Sequence, residues 1–423
     1  MTKVGEVFVP GGLPSVTYNP RSNLRLEEQV QDYLDERHKI LSLSGPTKCG
    51  KTVLLKRIVP EESIWISGGS VATASEFWSS VADKLSLFDE ETSTTGSQES
   101  QGADVEGGAS IGLPGIGSLG GKGRLTEQTG SSSGRTVGRK RPLVNVVGDA
   151  LRERLVPVVV DDFHYLPSKV QLDVVRGLKE LVFEGVPVIF ASVPHRAFDA
   201  VRVEREMTGR VQQLPIGFWS ENELAGIAKQ GFEALNVHAE HSLIDRLIAE
   251  AFQSPHLMQT FCLSLCKASG VRERGSATQT LEAPDWEPFF QVHASSTSKM
   301  AFDLLIKGPR QRSDRLERVL VDGTKTDIYG VVLAAIAHTG PLTALPYTEL
   351  RGSVKDVLAS DPPQRQQVTG VLKHMSDIAR KNIEGEPVVD YDEEQDTLYI
   401  SDPFFAYYLR WGTEPPLAAV HSA

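Results

Sequence analysis

His38 to Ser44 reads as a strand running into Gly45-Pro46-Thr47-Lys48-Cys49-Gly50-Lys51-Thr52, and Val53-Leu54-Leu55 continues at once as a helix. The eight residues satisfy G-x-x-x-x-G-K-[ST] in full, in the strand-to-helix setting where the pattern carries its chemistry. Glycines let successive backbone N–H groups turn inward as a nest around phosphate oxygens, and the following helix N-terminus adds positive potential. Lys51 is placed to reach the outer phosphates, and Thr52 to offer a hydroxyl to Mg²⁺. Lys48 and Cys49 fill variable positions of the loop, and their identities imply no redox role.

A triphosphate site of this kind needs an acid on a neighbouring strand. Val156-Pro157-Val158-Val159-Val160 is a continuous apolar run ending in Asp161-Asp162, the pattern of a buried central strand whose carboxyl end meets solvent. Asp161 is the candidate for orienting water on Mg²⁺, and Asp162 the candidate base for the attacking water; a turn-capping role is the plain alternative for either. Around these two strands, helices and short apolar strands alternate. Ser63–Ser67 is a strand, Ala74–Phe88 a helix, Leu143–Leu155 a helix, Ser168–Phe183 a helix, Val186–Ser192 a buried strand and Val211–Ile216 a fifth strand. Such alternation predicts a parallel sheet covered by helices. Before it lie a turn-rich lead-in and an amphipathic helix with Leu24, Val30 and Leu34 facing inward.

The alternation stops from Asp89 to Lys140. Thirteen of the chain's 37 glycines fall between Gly96 and Gly138, which marks an insertion. It reads as a surface loop, or as a hairpin built on Ile111, Leu113, Ile116 and Leu119. The whole chain has 44 basic and 55 acidic residues, a net charge of −11, so no global positive field draws it to phosphate backbones or anionic membranes. The three cysteines form no metal-type cluster. No apolar stretch approaches the roughly 18 residues of a membrane span, and Met1 to Pro10 lacks a basic-then-apolar leader. A reduced, soluble, cytoplasmic protein is expected.

After residue 217 the pattern turns helical, with Ser220-Glu221-Asn222-Glu223 reading as an N-cap followed by acidic first-turn residues. Near the C-terminus, Tyr329–His338, Tyr347–Leu358 and Arg365–Lys381 read as helices, and Val388–Tyr391 and Thr397–Ile400 flank an acidic turn, Asp392-Glu393-Glu394-Gln395-Asp396. That is the order of a winged helix. The third helix carries Arg365, Lys373, Arg380 and Lys381, but the wing tip would repel phosphates, which favours a protein-facing role over DNA reading. The division expected is 1–217 for the nucleotide core with its insertion 89–140, 218–320 for a helical lid and linker, and 321–423 for the winged-helix-like domain.

In this order the motifs resemble AAA+ and STAND ATPases, nearest the origin-recognition-like and archaeal-ATPase branch, over about Tyr18 to Trp411. The resemblance implies an α/β P-loop NTPase core with a helical lid and a C-terminal winged-helix-like domain, ATP and Mg²⁺ as cofactors, and a switch whose nucleotide state sets conformation or self-assembly. It further implies that Tyr18 and Arg21 pack near adenine, that Ser192 senses the γ-phosphate, that Arg196 follows the sensor strand as in STAND proteins, and that Arg210 is presented to a neighbouring subunit's nucleotide. Pro255 and His256 stand where the family places a Gly-x-Pro or a sensor arginine, and this chain departs from both. The partners implied are further copies of the chain or a partner protein, with DNA less favoured and no membrane. Alternatives are a DNA-binding initiator or remodelling ATPase, and a scaffold that holds nucleotide for a separate effector.

Overall fold

Strand β1 (Ile40–Ser44) is buried along its whole length between two parallel neighbours, and this position decides where the site falls. The computed structural model describes residues 1–87, 141–193, 204–294, 296–309, 316–340, 343–382 and 387–412. The insertion 89–140 lies outside the described residues. With β2 (Ile64–Ser67), β3 (Val158–Asp161), β4 (Val188–Ser192) and β5 (Val211–Pro215), the sheet has the order β2-β3-β4-β1-β5, every pairing parallel. An α/β core with helices on both faces follows. Successive side chains point to opposite faces. Ile40, Val158, Val160, Val188 and Phe190 therefore join one core under helices Ala74–Lys84, Leu143–Arg154 and Ser168–Phe183. Leu41, Leu43, Val159, Ile189 and Ala191 join the other, under Leu26–Glu36 and Lys51–Ile58. Because both faces are covered, the central strands read as unbroken apolar runs.

The second core continues without a break into the helices Glu221–Leu235, His241–Ala249 and Pro255–Ala268. The first of these starts where its sequence places it. Ser220 Oγ accepts from Glu223 N at 3.4 Å, and Glu223 Oε2 accepts from Ser220 N at 2.8 Å, a reciprocal cap.

C-terminal to these, Ile328–His338, Tyr347–Val357 and Arg365–Asn382 pack around their own core. A three-stranded antiparallel sheet completes the unit, with Thr397–Ile400 between Ala344–Pro346 and Val389–Asp392. In chain order the unit runs helix, strand, helix, helix, hairpin. Ala344–Pro346, three residues ending in proline, carries no strand signal and forms because Thr397–Ile400 offers it a free edge. Ala301 and Leu305 of the linker helix Ser296–Lys307 also belong to this core.

The closing helix Pro403–Trp411 straddles two cores: Tyr407 enters the lid core, while Phe405, Ala406 and Leu409 enter the C-terminal one. A carboxylate fixes its far end to the lid. Glu250, 0% exposed, accepts from Arg410 Nη2 at 3.0 Å and from Trp411 Nε1 at 2.8 Å, and Arg246 pairs with it at 3.0 Å. Glu250→Gln keeps the volume but places an amide where donors converge. A loss of about 1–2 kcal/mol is expected, read as a lower urea midpoint. An unchanged midpoint would make this joint energetically idle.

Candidate functional site

The phosphate loop leaves the carboxyl end of β1, where Gly45 N donates to Ser192 O at 3.1 Å. It re-enters regular structure at the helix Lys51–Ile58. Gly50 stands at φ +101° with nothing within 4 Å of where a Cβ would be, a conformation that glycine adopts without strain. Lys51 is 6% exposed, and its ammonium donates to the carbonyls of Gly45 at 2.8 Å and Pro46 at 2.9 Å. A buried ammonium held by two neutral carbonyls, at the first residue of a helix, is a cation positioned for an anionic ligand.

Thr52 Oγ1 donates to Asp161 Oδ2 at 2.8 Å, so the hydroxyl and the carboxylate predicted to share a metal lie side by side. The donor set, two hard oxygens from two elements, is of the type Mg²⁺ takes, with water and phosphate oxygens completing its shell. The other oxygen of Asp161 accepts from Asp162 N at 3.1 Å. This turns Asp162 into the left-handed region at φ +55°. Gly68, at the end of β2, makes room for the turn, since a Cβ there would meet Asp162 O at 2.2 Å. Burial, then the adjacent Asp161 charge, push the Asp162 carboxyl up to about 6, and Lys51 pulls against them. A carboxylate raised toward neutrality at the mouth of a phosphate loop can act as a base.

These residues open on a cavity of about 670 Å³, within the range of small-molecule and cofactor sites. It is lined by the loop from Thr47 to Thr52, by Asp161 and Asp162, by the lead-in at Tyr18 and Arg21, and by Pro255 and His256 of the lid. Tyr18 lies under the Arg57 guanidinium at 3.9 Å and donates to Glu27 at 2.8 Å. Arg21 borders the cavity, but its donors are engaged elsewhere. Its Nε reaches Glu223 at 3.0 Å, while Nη1 and Nη2 reach the carbonyls of Gly217 and Phe218 at 2.9 and 2.8 Å. It therefore braces the crossing from β5 to the helix Glu221–Leu235. Pro255 opens the lid helix Pro255–Ala268, capped by Ser254. His256 sits edge-on to Phe404 at 4.9 Å, and burial together with the nearby Lys48 charge brings it down to about 4, a neutral ring at ordinary pH.

The remaining candidates stand apart from this cavity. Gly45 and Pro46 do not line it, but their carbonyls hold Lys51. Ser192 is buried off the cavity wall, beside Ser44, and meets the loop through its backbone carbonyl. Arg210 precedes β5 at its amino end, its carbonyl accepting from Ile40 N and its exposed guanidinium 5.8 Å from the Phe183 ring. A five-residue strand, roughly 15 Å long, separates it from its own phosphate loop. Arg196 lies outside the described residues. Sequence reasoning also missed several contacts to the loop. Trp219 Nε1 donates to Cys49 O at 2.8 Å, and Asp402 and Phe404 bring the closing helix onto Lys48. No local signal announces a contact across more than 350 residues; Asp402-Pro403 is legible only as a helix start.

No protein-family model and no curated protein matches the chain. Solved structures do. Cdc6p from Pyrobaculum aerophilum is 12% identical with a TM-score of 0.44, covering 98% of this chain and 100% of that one. The Aeropyrum pernix ORC2 protein, solved as ADPNP–ADP complexes, is 12% identical at 0.43, covering 99% and 98%. The Walker-type ATPase of Pyrococcus abyssi is 14% identical with a TM-score of 0.51, covering 93% of this chain and 99% of that one. From the sheet to the closing helix, the chain has the fold of that Walker-type ATPase.

Proposed function

We propose that the chain binds MgATP in the cavity between sheet and lid, hydrolyses it, and uses the bound nucleotide to set the arrangement of its C-terminal unit or its assembly with further copies. The observation that carries this reading is the 2.8 Å pairing of Thr52 with Asp161 beside Lys51 in one cavity. Lys51 binds the outer phosphate oxygens, Thr52 and Asp161 hold the metal, and Asp162 takes the proton of the attacking water. When bound, Mg²⁺ neutralises charge developing on the phosphates. Tyr18, Pro255 and His256 form the wall against the base. Arg210, exposed and a strand's length from its own loop, serves only a neighbour's nucleotide.

Partner chemistry follows from charge. Three basic side chains of Arg365–Asn382 pair with hairpin acids: Arg365 with Asp396 at 2.7 Å, Lys373 with Glu393 at 2.6 Å, and Arg380 with Asp390. Cations already neutralised within the unit are poorly placed to displace counterions from DNA. This supports a protein partner. No helix among the described residues is long and apolar enough to cross a membrane. Calorimetric titration with MgATP and MgADP tests the binding, and light scattering in each nucleotide tests the assembly. Micromolar or tighter ATP binding, with a mass that depends on nucleotide and on Arg210, is expected. A folded chain that binds neither nucleotide would end the proposal.

A further inference from the structure

Lys48 occupies the left-handed region at φ +59°, where a side chain costs roughly 1 kcal/mol and glycine costs nothing. A strained lysine in a phosphate loop calls for a compensating contact, and one is present. Its ammonium lies 3.4 Å from Asp402 Oδ1 and 3.9 Å from the centre of the Phe404 ring. The same Asp402 oxygen caps the closing helix, accepting from Phe404 N at 2.9 Å. That helix is shared by the lid core and the C-terminal core and is fixed to the lid at its far end by Glu250. Lys48, Asp402 and Phe404 all line the cavity that holds Lys51 and Thr52.

We propose that Lys48 is an anion-exchange latch: its ammonium holds the capped end of the closing helix over the phosphate loop, and the terminal phosphate of a nucleoside triphosphate competes with Asp402 for it. The idea rests on the ATP-site reading above and specifies how that site is regulated. A diphosphate lacks the competing charge and leaves the latch closed. A triphosphate draws Lys48 inward and frees the helix N-terminus. Lid and C-terminal unit, joined through that helix, then loosen together from the sheet. The contact is partly exposed, with Lys48 37% and Asp402 17% accessible, so it is weak enough for a phosphate to displace.

Backbone hydrogen exchange of Pro403–Trp411 tests this in saturating MgADP and in a non-hydrolysable ATP analogue, with protection of Lys51–Ile58 reporting occupancy. In the parent, exchange is expected about tenfold faster with the triphosphate, the worth of one ion pair plus one cation–π contact. Asp402→Asn keeps a capping oxygen but removes the charge. It should exchange fast with both nucleotides, and Lys48→Gly should do the same. Equal rates in a parent whose phosphate loop is protected by both nucleotides overturn the latch alone, as does a parent-like difference in folded Asp402→Asn. A parent loop protected by neither nucleotide overturns the site reading and the latch with it.

Discussion

Replacing Lys51 with alanine is expected to weaken MgATP binding by about 10²- to 10⁴-fold in a chain that still folds. Charge-assisted hydrogen bonds contribute about 1.5–3 kcal/mol each, and two of them to phosphate oxygens correspond to that range. The fold has little at stake, because the ammonium holds only the carbonyls of Gly45 and Pro46. Lys51→Met, which keeps the apolar stem, should bind as weakly as alanine and so separate lost charge from lost packing. Calorimetric titration reads the effect directly. Parent-like affinity in either folded variant would remove the phosphate loop from the site.

Much of this site is legible in the sequence because its chemistry is local. A phosphate loop is a run of eight residues whose backbone does most of the binding, and a strand ending in Asp161-Asp162 is equally compact. The core strands are legible for a related reason: Val158–Val160 and Val188–Ser192 are buried on both faces, so hydrophobicity alone marks them. What the sequence hides is the third dimension of the cavity. Arg21 carries the expected spacing from Tyr18, yet its guanidinium goes to Glu223 and to the two carbonyls after β5, an engagement set by where the lid helix begins. Ser192 ends the expected strand, but it does not line the cavity and meets the loop through its carbonyl, which accepts from Gly45 N. The Glu250 joint escapes notice for the opposite reason. A lone glutamate after a helix reads as a surface charge until Arg246, Arg410 and Trp411 converge on it.

Asp162→Asn is expected to slow single-turnover ATP hydrolysis by about 10²- to 10³-fold while making the nucleotide-free protein more stable at neutral pH. The two effects share one cause. Burial and the Asp161 charge raise the carboxyl to about 6, against an ordinary value of 3.8. Between those values the folded protein binds more protons than the unfolded chain, so stability falls as pH rises from about 4 to 6. By pH 7.5 the ionised group costs about 2–3 kcal/mol. Asparagine carries no charge and tolerates the left-handed backbone at φ +55°, so it removes that cost without adding strain. Its advantage should shrink below pH 6 and vanish near pH 4, as urea titrations across that range can follow. In the parent, the rate should fall on the acid side, as the base becomes protonated. The variant's slower rate should lack that limb. A variant that hydrolyses at the parent rate moves the base elsewhere, and one that is less stable than the parent at pH 7.5 makes Asp162 a turn residue whose charge the fold needs.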